Sequence, residues 1–194
     1  RFDPSGNITL LCGAMDHGQG HGTTFKQVLG DSLGINTDKV QYRFGDTDKV
    51  AHGIGTFNAR CAVFVSAAVI NASEKIIAKG KRIAAHLLEA ADDDIEYGDG
   101  TFTVAGTDKT ISLEEVAKTA FQKPKLPADI EPGLYEHGEF GMGQGQMPTY
   151  PNGVHLAEIE IDSDTGKVEL VRYTAVDDAG TILNPMLFDG QVHG

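Results

Sequence analysis

Positive charge is scarce in this chain. Sixteen lysines and arginines face 28 aspartates and glutamates over 194 residues, for a net charge of -12. Such a field repels nucleic acid and anionic membrane, because proteins that track phosphates need a basic face. An anionic ligand stays possible if backbone N–H groups, which do not enter the charge count, make the contacts. Cysteine is scarcer still, with Cys12 and Cys61 alone. Both sit in apolar or small-residue runs, so two buried free thiols are expected rather than a disulfide, and the expected compartment is reducing and cytoplasmic. The chain has no charged-then-apolar leader and no initiator Met, and no apolar stretch reads as long and unbroken enough to span a bilayer. It starts inside what reads as a strand hairpin and stops without a polar tail, so it is expected to be part of a longer polypeptide. There is no internal repeat of fixed period, no Walker loop, no full dinucleotide fingerprint and no Gly-x-Ser-x-Gly elbow. Cys61 has no base near it in sequence, so nucleophilic catalysis finds no support.

What is present suffices for a core. At 40% hydrophobic residues, one domain or two closely packed lobes are expected. Ile8-Thr9-Leu10-Leu11-Cys12 reads as a buried strand. The glycine-rich turn Asp16-His17-Gly18-Gln19-Gly20-His21-Gly22 follows it and leads into a helix with Phe25, Val28 and Leu29 on one face, ended by Gly34. Val40 to Phe44 alternates like a strand. A second glycine-rich turn, Ala51 to Asn58, opens a long helical signal. From Ala59 to Ala78 nearly every residue is small or apolar, which predicts burial on most sides; beyond Gly80 the pattern is one-sided and predicts emergence to the surface. Residues 95–104 read as a hairpin, and Ser112 with Glu115 as a capping box with Ile111 and Val116 as its staple. Residues 122–151 read as an irregular loop, and residues 156–176 as a hairpin around Asp162 to Gly166. The order predicts an α+β fold: a mixed β-sheet with a long buried helix and a smaller hairpin/helix lobe. The expected core is residues 1–91 and 150–194, with the lobe and loop at 92–149.

Four constellations could carry chemistry. Gly18-Gln19-Gly20 lies between a strand and a helix, where glycines admit a ligand to the backbone and the helix start presents free N–H groups. Gln19 has an acceptor and two donors suited to the edge of a heterocycle. The plainer reading is a tight turn with an exposed glutamine. In the second turn, the consecutive amides from Thr56 to Cys61 could wrap a phosphate, helped by the Thr56 and Asn58 side chains and the Arg60 charge. The histidines His17, His21, His52, His137, His155 and His193 lack a third ligand at metal spacing, so turn roles are favoured and no metal ligand is assigned. Asp177-Asp178-Ala179-Gly180 with Asn184-Pro185 and Gly190-Gln191 reads alone as a strand end, a solvated turn and a helix start.

Taken together, Asp16 to His21, Gly55 to Arg60, and Asp178 to Pro185 with Gly190-Gln191 resemble, in order along the chain, the xanthine oxidase/aldehyde oxidase family of molybdenum hydroxylases. The resemblance is nearest to the aerobic carbon monoxide dehydrogenase large-subunit type. It implies a molybdopterin-binding region of molybdenum-cofactor-binding-domain type. Pterin contacts would fall at Gly18, Gln19, Gly20 and Gln191, and phosphate contacts at Gly55, Thr56, Phe57, Asn58, Ala59, Arg60 and Cys61. It further implies hydroxylation of a carbon centre with water, or carbon monoxide oxidation, on a small-molecule substrate. The cofactor would be molybdenum-molybdopterin in its cytosine dinucleotide form, and the partners iron–sulfur and flavin subunits or domains in an oligomeric complex. The metal would be held by the pterin sulfurs. The family's general-base glutamate is expected beyond residue 194, so the isolated chain is expected not to turn over and, with half of the pocket missing, to hold the pterin weakly. A non-catalytic nucleotide-binding or assembly domain remains the alternative.

Overall fold

The computed structural model describes residues 1–141 and 149–194. Two compact units divide the chain, Arg1–Gln146 and Met147–Gly194.

The first unit begins with a β-α-β arrangement. Strand β1 (Ile8–Cys12) pairs in parallel with β2 (Val40–Phe44), from Ile8 opposite Val40 to Cys12 opposite Phe44. A parallel pair needs a crossover, and α1 (His21–Leu33) supplies it. Phe25, Val28, Leu29 and Leu33 form its buried stripe at helical spacing. Gly34 ends α1 in the left-handed conformation, φ 58°, with its N–H on the Gly30 carbonyl.

The 28-residue helix α2 (Cys61–Leu88) is the spine of this unit. Beyond it, β3 (Ile95–Gly98), β4 (Thr101–Val104) and β5 (Thr110–Ser112) form an antiparallel sheet, and α3 (Leu113–Thr119) follows directly. The capping box is formed as expected. The Ser112 hydroxyl accepts from the Glu115 N–H at 3.2 Å, and the Glu115 carboxylate accepts from the Ser112 N–H at 3.2 Å.

Burial along α2 runs opposite to the sequence expectation. The buried positions Val69, Ser73, Ile76, Gly80 and Ile83 recur every three to four residues, so only one stripe is covered in the first half. Val63 and Ile70 are 42% and 43% exposed, whereas Ile83, Ala84 and Ala85 beyond Gly80 are the most deeply buried. The reason is tertiary: the β3–β5 sheet and α3 pack on the second half of α2. The expectation on membrane-length stretches also needs correction. By length and composition alone α2 is apolar enough to cross a bilayer, with a mean hydropathy of 1.6 in its best window. In this fold its buried stripe joins the core of the first unit.

The expected boundary at residue 91 is not where contacts thin out. The hairpin lobe docks on α1 and α2: the Tyr97 hydroxyl donates to the Leu33 carbonyl at 2.6 Å, filling an acceptor left open at the helix end. Gly34 meets Asp99 and Gly100 backbone to backbone, where an added Cβ would stand 2.5 Å from the Asp99 Cα. Residues 95–134 therefore contribute Ile95, Phe102, Leu113, Val116 and Leu134 to the same core as α1 and α2.

The second unit is a long antiparallel hairpin, β6 (Asn152–Ile161) with β7 (Val168–Asp178), followed by α4 (Pro185–His193). Its turn is tied by Asp162, whose carboxylate accepts from the N–H groups of Asp164 and Thr165. Asn184 caps α4 by accepting from the Leu187 N–H at 3.1 Å, with Pro185 at the first helical position.

Gly80 yields a prediction whose sign is unusual. Replacing glycine by alanine inside a helix ordinarily stabilises by about 1 kcal/mol. Here the new Cβ would lie 2.5 Å from the ring of the fully buried Phe102. Gly80→Ala is expected to destabilise, by about 1–3 kcal/mol for an overpacked core. Urea unfolding followed by far-UV circular dichroism measures it, and an unchanged or raised midpoint would contradict the packing described.

Candidate functional site

Both glycine-rich turns of the first unit lie at the carboxyl end of β1, and the main chain brings them together. Gly13 follows β1 and touches Gly53 of the second turn. A Cβ on Gly13 would stand 2.5 Å from the Gly53 Cα, and one on Gly53 would stand 2.3 Å from the Gly13 carbonyl oxygen. Only glycine at both positions allows this approach. A hydrogen bond from the Gly55 N–H to the Gly13 carbonyl, 3.3 Å, reinforces it.

The Met15 carbonyl joins the turns a second time. It accepts from the Thr56 hydroxyl at 2.6 Å and, more weakly, from the Gln19 side-chain amide at 3.4 Å. Gln19 and Thr56, 37 positions apart in sequence, thus share one acceptor. Below them, Cys12, Ala14, Phe25 and Cys61 form a small apolar cluster, with both thiols free and buried.

The first turn is organised by Asp16. Its carboxylate accepts from the N–H groups of Gly18 at 3.0 Å and Gly22 at 3.2 Å. This serves as the side-chain cap of α1, because Gly20, at the N-cap in a left-handed conformation, has no side chain to give. Burial works to raise the Asp16 pKa, but the Gly18 and Gly22 amides and the nearby His21 outweigh it, and the carboxyl is held below its ordinary value. His21 is nine-tenths buried, its ring tilted against that of Phe25 with centroids 4.8 Å apart, and burial lowers its pKa against the pull of Asp16. Gln19 is turned inward: its carbonyl oxygen accepts from the His17 N–H while its nitrogen reaches Met15. Gln19, read from sequence either as a ligand contact or as an exposed turn residue, here braces its own turn.

The second turn contains the strained backbone of the site. Asn58 and Ala59 follow one another at φ 54° and 51°, a left-handed pair. For Ala59, which has a Cβ and no local polar compensation, this costs about 1–2 kcal/mol. Among the described residues no hydrogen bond engages the N–H groups of Asn58 and Ala59, and Cys61, Ala62 and Val63 carry the open donors of the first turn of α2. The Arg60 guanidinium folds back over this bend. It donates to the Gly55 carbonyl at 2.9 Å and lies 4.2 Å from the Phe57 ring centroid, while its Nε is buried without a partner. Gly18 and Gly55, at φ 103° and 83°, face open space, so a ligand could approach the chain there. A groove of about 380 Å³ runs beside the bend, bordered by His52, Gly53, Gly55, Arg60 and Phe64.

Of the site residues expected from sequence, Gly18, Gln19 and Gly20 are thus assembled with Gly55, Thr56, Phe57, Asn58, Ala59, Arg60 and Cys61. Gln191 lies on α4 of the second unit, with its side chain exposed. Asp16 and Gly53 lie within the turns read from sequence but had no role assigned there, and Gly13 had none either. The Asp-x-Gly spacing could have signalled Asp16 as a turn cap; the Gly13–Gly53 contact has no local signal, because it joins positions 40 residues apart. Among the described residues no group of three histidines, cysteines or carboxylates could hold a metal ion.

Two outcomes follow from this geometry. Because the Asp16 pKa is depressed on folding, its stabilisation is present above the unfolded carboxylate value and lost as pH falls through the folded one. Hydrogen exchange of the Gly18 and Gly22 amides, corrected for intrinsic rates, should lose protection on acidification, and Asp16→Asn should weaken protection at neutral pH by about 1 kcal/mol, as for a lost cap. Gly53→Ala should displace the second turn, read as faster proteolysis near residue 53, with little change in the unfolding midpoint because that residue is exposed.

Comparison with known proteins gives the family. The family model described as "Molybdopterin cofactor-binding domain" matches residues 1–194. The carbon monoxide dehydrogenase large chain of Hydrogenophaga pseudoflava is 37% identical over 200 residues, covering 100% of this chain and 24% of its own. The nicotine 6-hydroxylase large subunit of Paenarthrobacter nicotinovorans is 35% identical, covering 100% and 24%. Among solved structures, the Cu,Mo-CO dehydrogenase in its carbon monoxide reduced state superposes with a TM-score of 0.87 at 36% identity, covering 100% of this chain and 24% of that one. The chain therefore spans about a quarter of the length of these relatives. With a family match along its whole length, the chain belongs to the molybdopterin cofactor-binding domain family.

Proposed function

We propose that this chain contributes one wall of a molybdenum-pterin site in an oxidoreductase that hydroxylates a carbon centre or oxidises carbon monoxide. The observation that carries the reading is the convergence of the two glycine turns on the Met15 carbonyl, beside unpaired main-chain donors. The donor set fits a phosphorylated pterin on three counts. The open N–H groups of Asn58, Ala59 and Cys61 to Val63 suit phosphate oxygens. The buried, unpartnered Arg60 Nε supplies a charged donor at the same bend. Gly18 and Gly55 leave the backbone open on the ligand side.

In this reading Thr56 fixes the bend to the first turn, and Phe57 holds the Arg60 guanidinium by its ring face. Gln19 meets the pterin edge by exchanging its weak bond to Met15 for one to the ligand. The resemblance adds Gln191, on α4, as a further pterin contact. The bound group would supply two-electron redox chemistry at molybdenum, with the metal held by the pterin sulfurs. The residues here bind and orient; the base is proposed to come from elsewhere in the polypeptide, so these 194 residues alone are not expected to turn over. The resemblance supports the cytosine dinucleotide form, iron–sulfur and flavin partners, and a small-molecule substrate in an oligomeric complex; the two reduced, buried thiols support a cytoplasmic setting.

The test is cofactor content of the full-length protein. Molybdenum and a fluorescent pterin should co-purify in equal amounts, and acid hydrolysis should release cytidine monophosphate. Arg60→Gln and Thr56→Val should each lower retention about tenfold or more, the effect of losing a charge-assisted or anchoring bond. Binding of a free cytidine nucleotide with neither molybdenum nor pterin would favour a nucleotide-sensing domain instead.

A further inference from the structure

A second cluster of polar side chains lies entirely within the β6–β7 hairpin. His155 on β6 uses both ring nitrogens: Nδ1 lies 2.8 Å from the Tyr173 hydroxyl, and Nε2 lies 3.1 Å from each oxygen of Asp177. Strand register shows how the hairpin makes room. Asp177 sits opposite Gly153, His155 opposite Ala175, and Tyr173 opposite Ala157. Each functional side chain thus faces a small residue across the ladder, so the three meet along the diagonals. The fit is closest at Gly153, where an added Cβ would stand 2.0 Å from the Asp177 carboxylate.

We propose that Asp177, His155 and Tyr173 form a proton relay whose working end is the Tyr173 hydroxyl, acting as an acid–base group toward the O–H of a water or hydroxylated ligand. A carboxylate only accepts hydrogen bonds, so it fixes the imidazole proton on Nε2. Nδ1 is left with a lone pair aimed at the phenol, which donates its O–H to it. When a ligand O–H bond breaks and its proton joins the Tyr173 oxygen, the original phenol proton passes to Nδ1. The resulting imidazolium is held between a carboxylate and a phenol oxygen, and every donor is satisfied before and after. No oxidant or reductant is needed. With its O–H committed to Nδ1, the Tyr173 oxygen keeps a lone pair to which a ligand O–H can donate.

This inference stands independently of the cofactor reading, because all three residues belong to the second unit. The full-length protein, with histidine labelled by nitrogen-15, should show His155 as the Nε2–H tautomer; an Nδ1–H tautomer overturns the relay. The functional readout is acylation of Tyr173 by N-acetylimidazole at neutral pH, followed by peptide mass spectrometry. The phenol oxygen attacks the acyl carbon while Nδ1 takes its proton, so the relay predicts acylation at least ~10-fold faster than in His155→Gln, the low end of general-base assistance. Asp177→Asn keeps the shape of the side chain but no longer fixes the tautomer, and should lose a similar factor; it covers the case in which His155→Gln disturbs the hairpin. Equal rates in the wild type and both variants would show a purely structural clasp, and no modification of Tyr173 in the folded protein would show that no ligand reaches it. Either result overturns the proposal.

Discussion

The contact on which the rest of the site depends is between two stretches of main chain, at Gly13 and Gly53. It lets a turn that follows β1 and a turn that precedes α2 share space that any side chain would fill. The Gly55–Gly13 and Thr56–Met15 bonds then fix their relative position. The neighbouring left-handed pair at Asn58 and Ala59 is unfavourable on its own. It persists because the bend is held at one end by these bonds and at the other by a 28-residue helix whose far half is locked into the core. Local strain at a donor-rich bend, supported from both sides, is the arrangement expected where backbone geometry serves a ligand.

The same construction addresses how an acidic chain could meet an anion. With a net charge of -12, long-range attraction works against a phosphorylated ligand. Short-range donors do not depend on net charge: amides at a helix start act over a few ångströms, within the Debye length. Arg60 adds one formal charge at that point, shielded from solvent by Phe57 and kept in place by the Gly55 carbonyl. Asp16, the carboxylate nearest the first turn, spends its charge on Gly18 and Gly22 rather than facing outward.

The two units carry different kinds of polar chemistry. In the first, the proposed ligand contacts are mostly main-chain donors exposed by glycine and by strain. In the second, the proposed relay consists of side chains brought together by the two-residue period of a β ladder, with small residues in the facing positions. The parallel pair and its crossover suit the first arrangement; the stretch of the antiparallel ladder from Asn152 to Glu158, before its register shift, suits the second.

Much of this was written in local sequence. The strands Ile8–Cys12 and Val40–Phe44, the helix stop at Gly34, the Ser112–Glu115 capping box and the turn at Asp162 each rest on a signal only a few residues long, and each formed where that signal placed it. The candidate ligand turns were legible for the same reason, since glycines before a helix mark open donors. The sequence could not show which half of α2 is buried, because small and apolar residues run along it and the covering sheet comes from residues 95–112. Nor could it show that Gly13 meets Gly53, that Gln19 braces its own turn, or that Asp177 ties down His155 rather than standing in water. Those outcomes depend on which distant backbone arrives next to a given residue, and only the folded chain decides that.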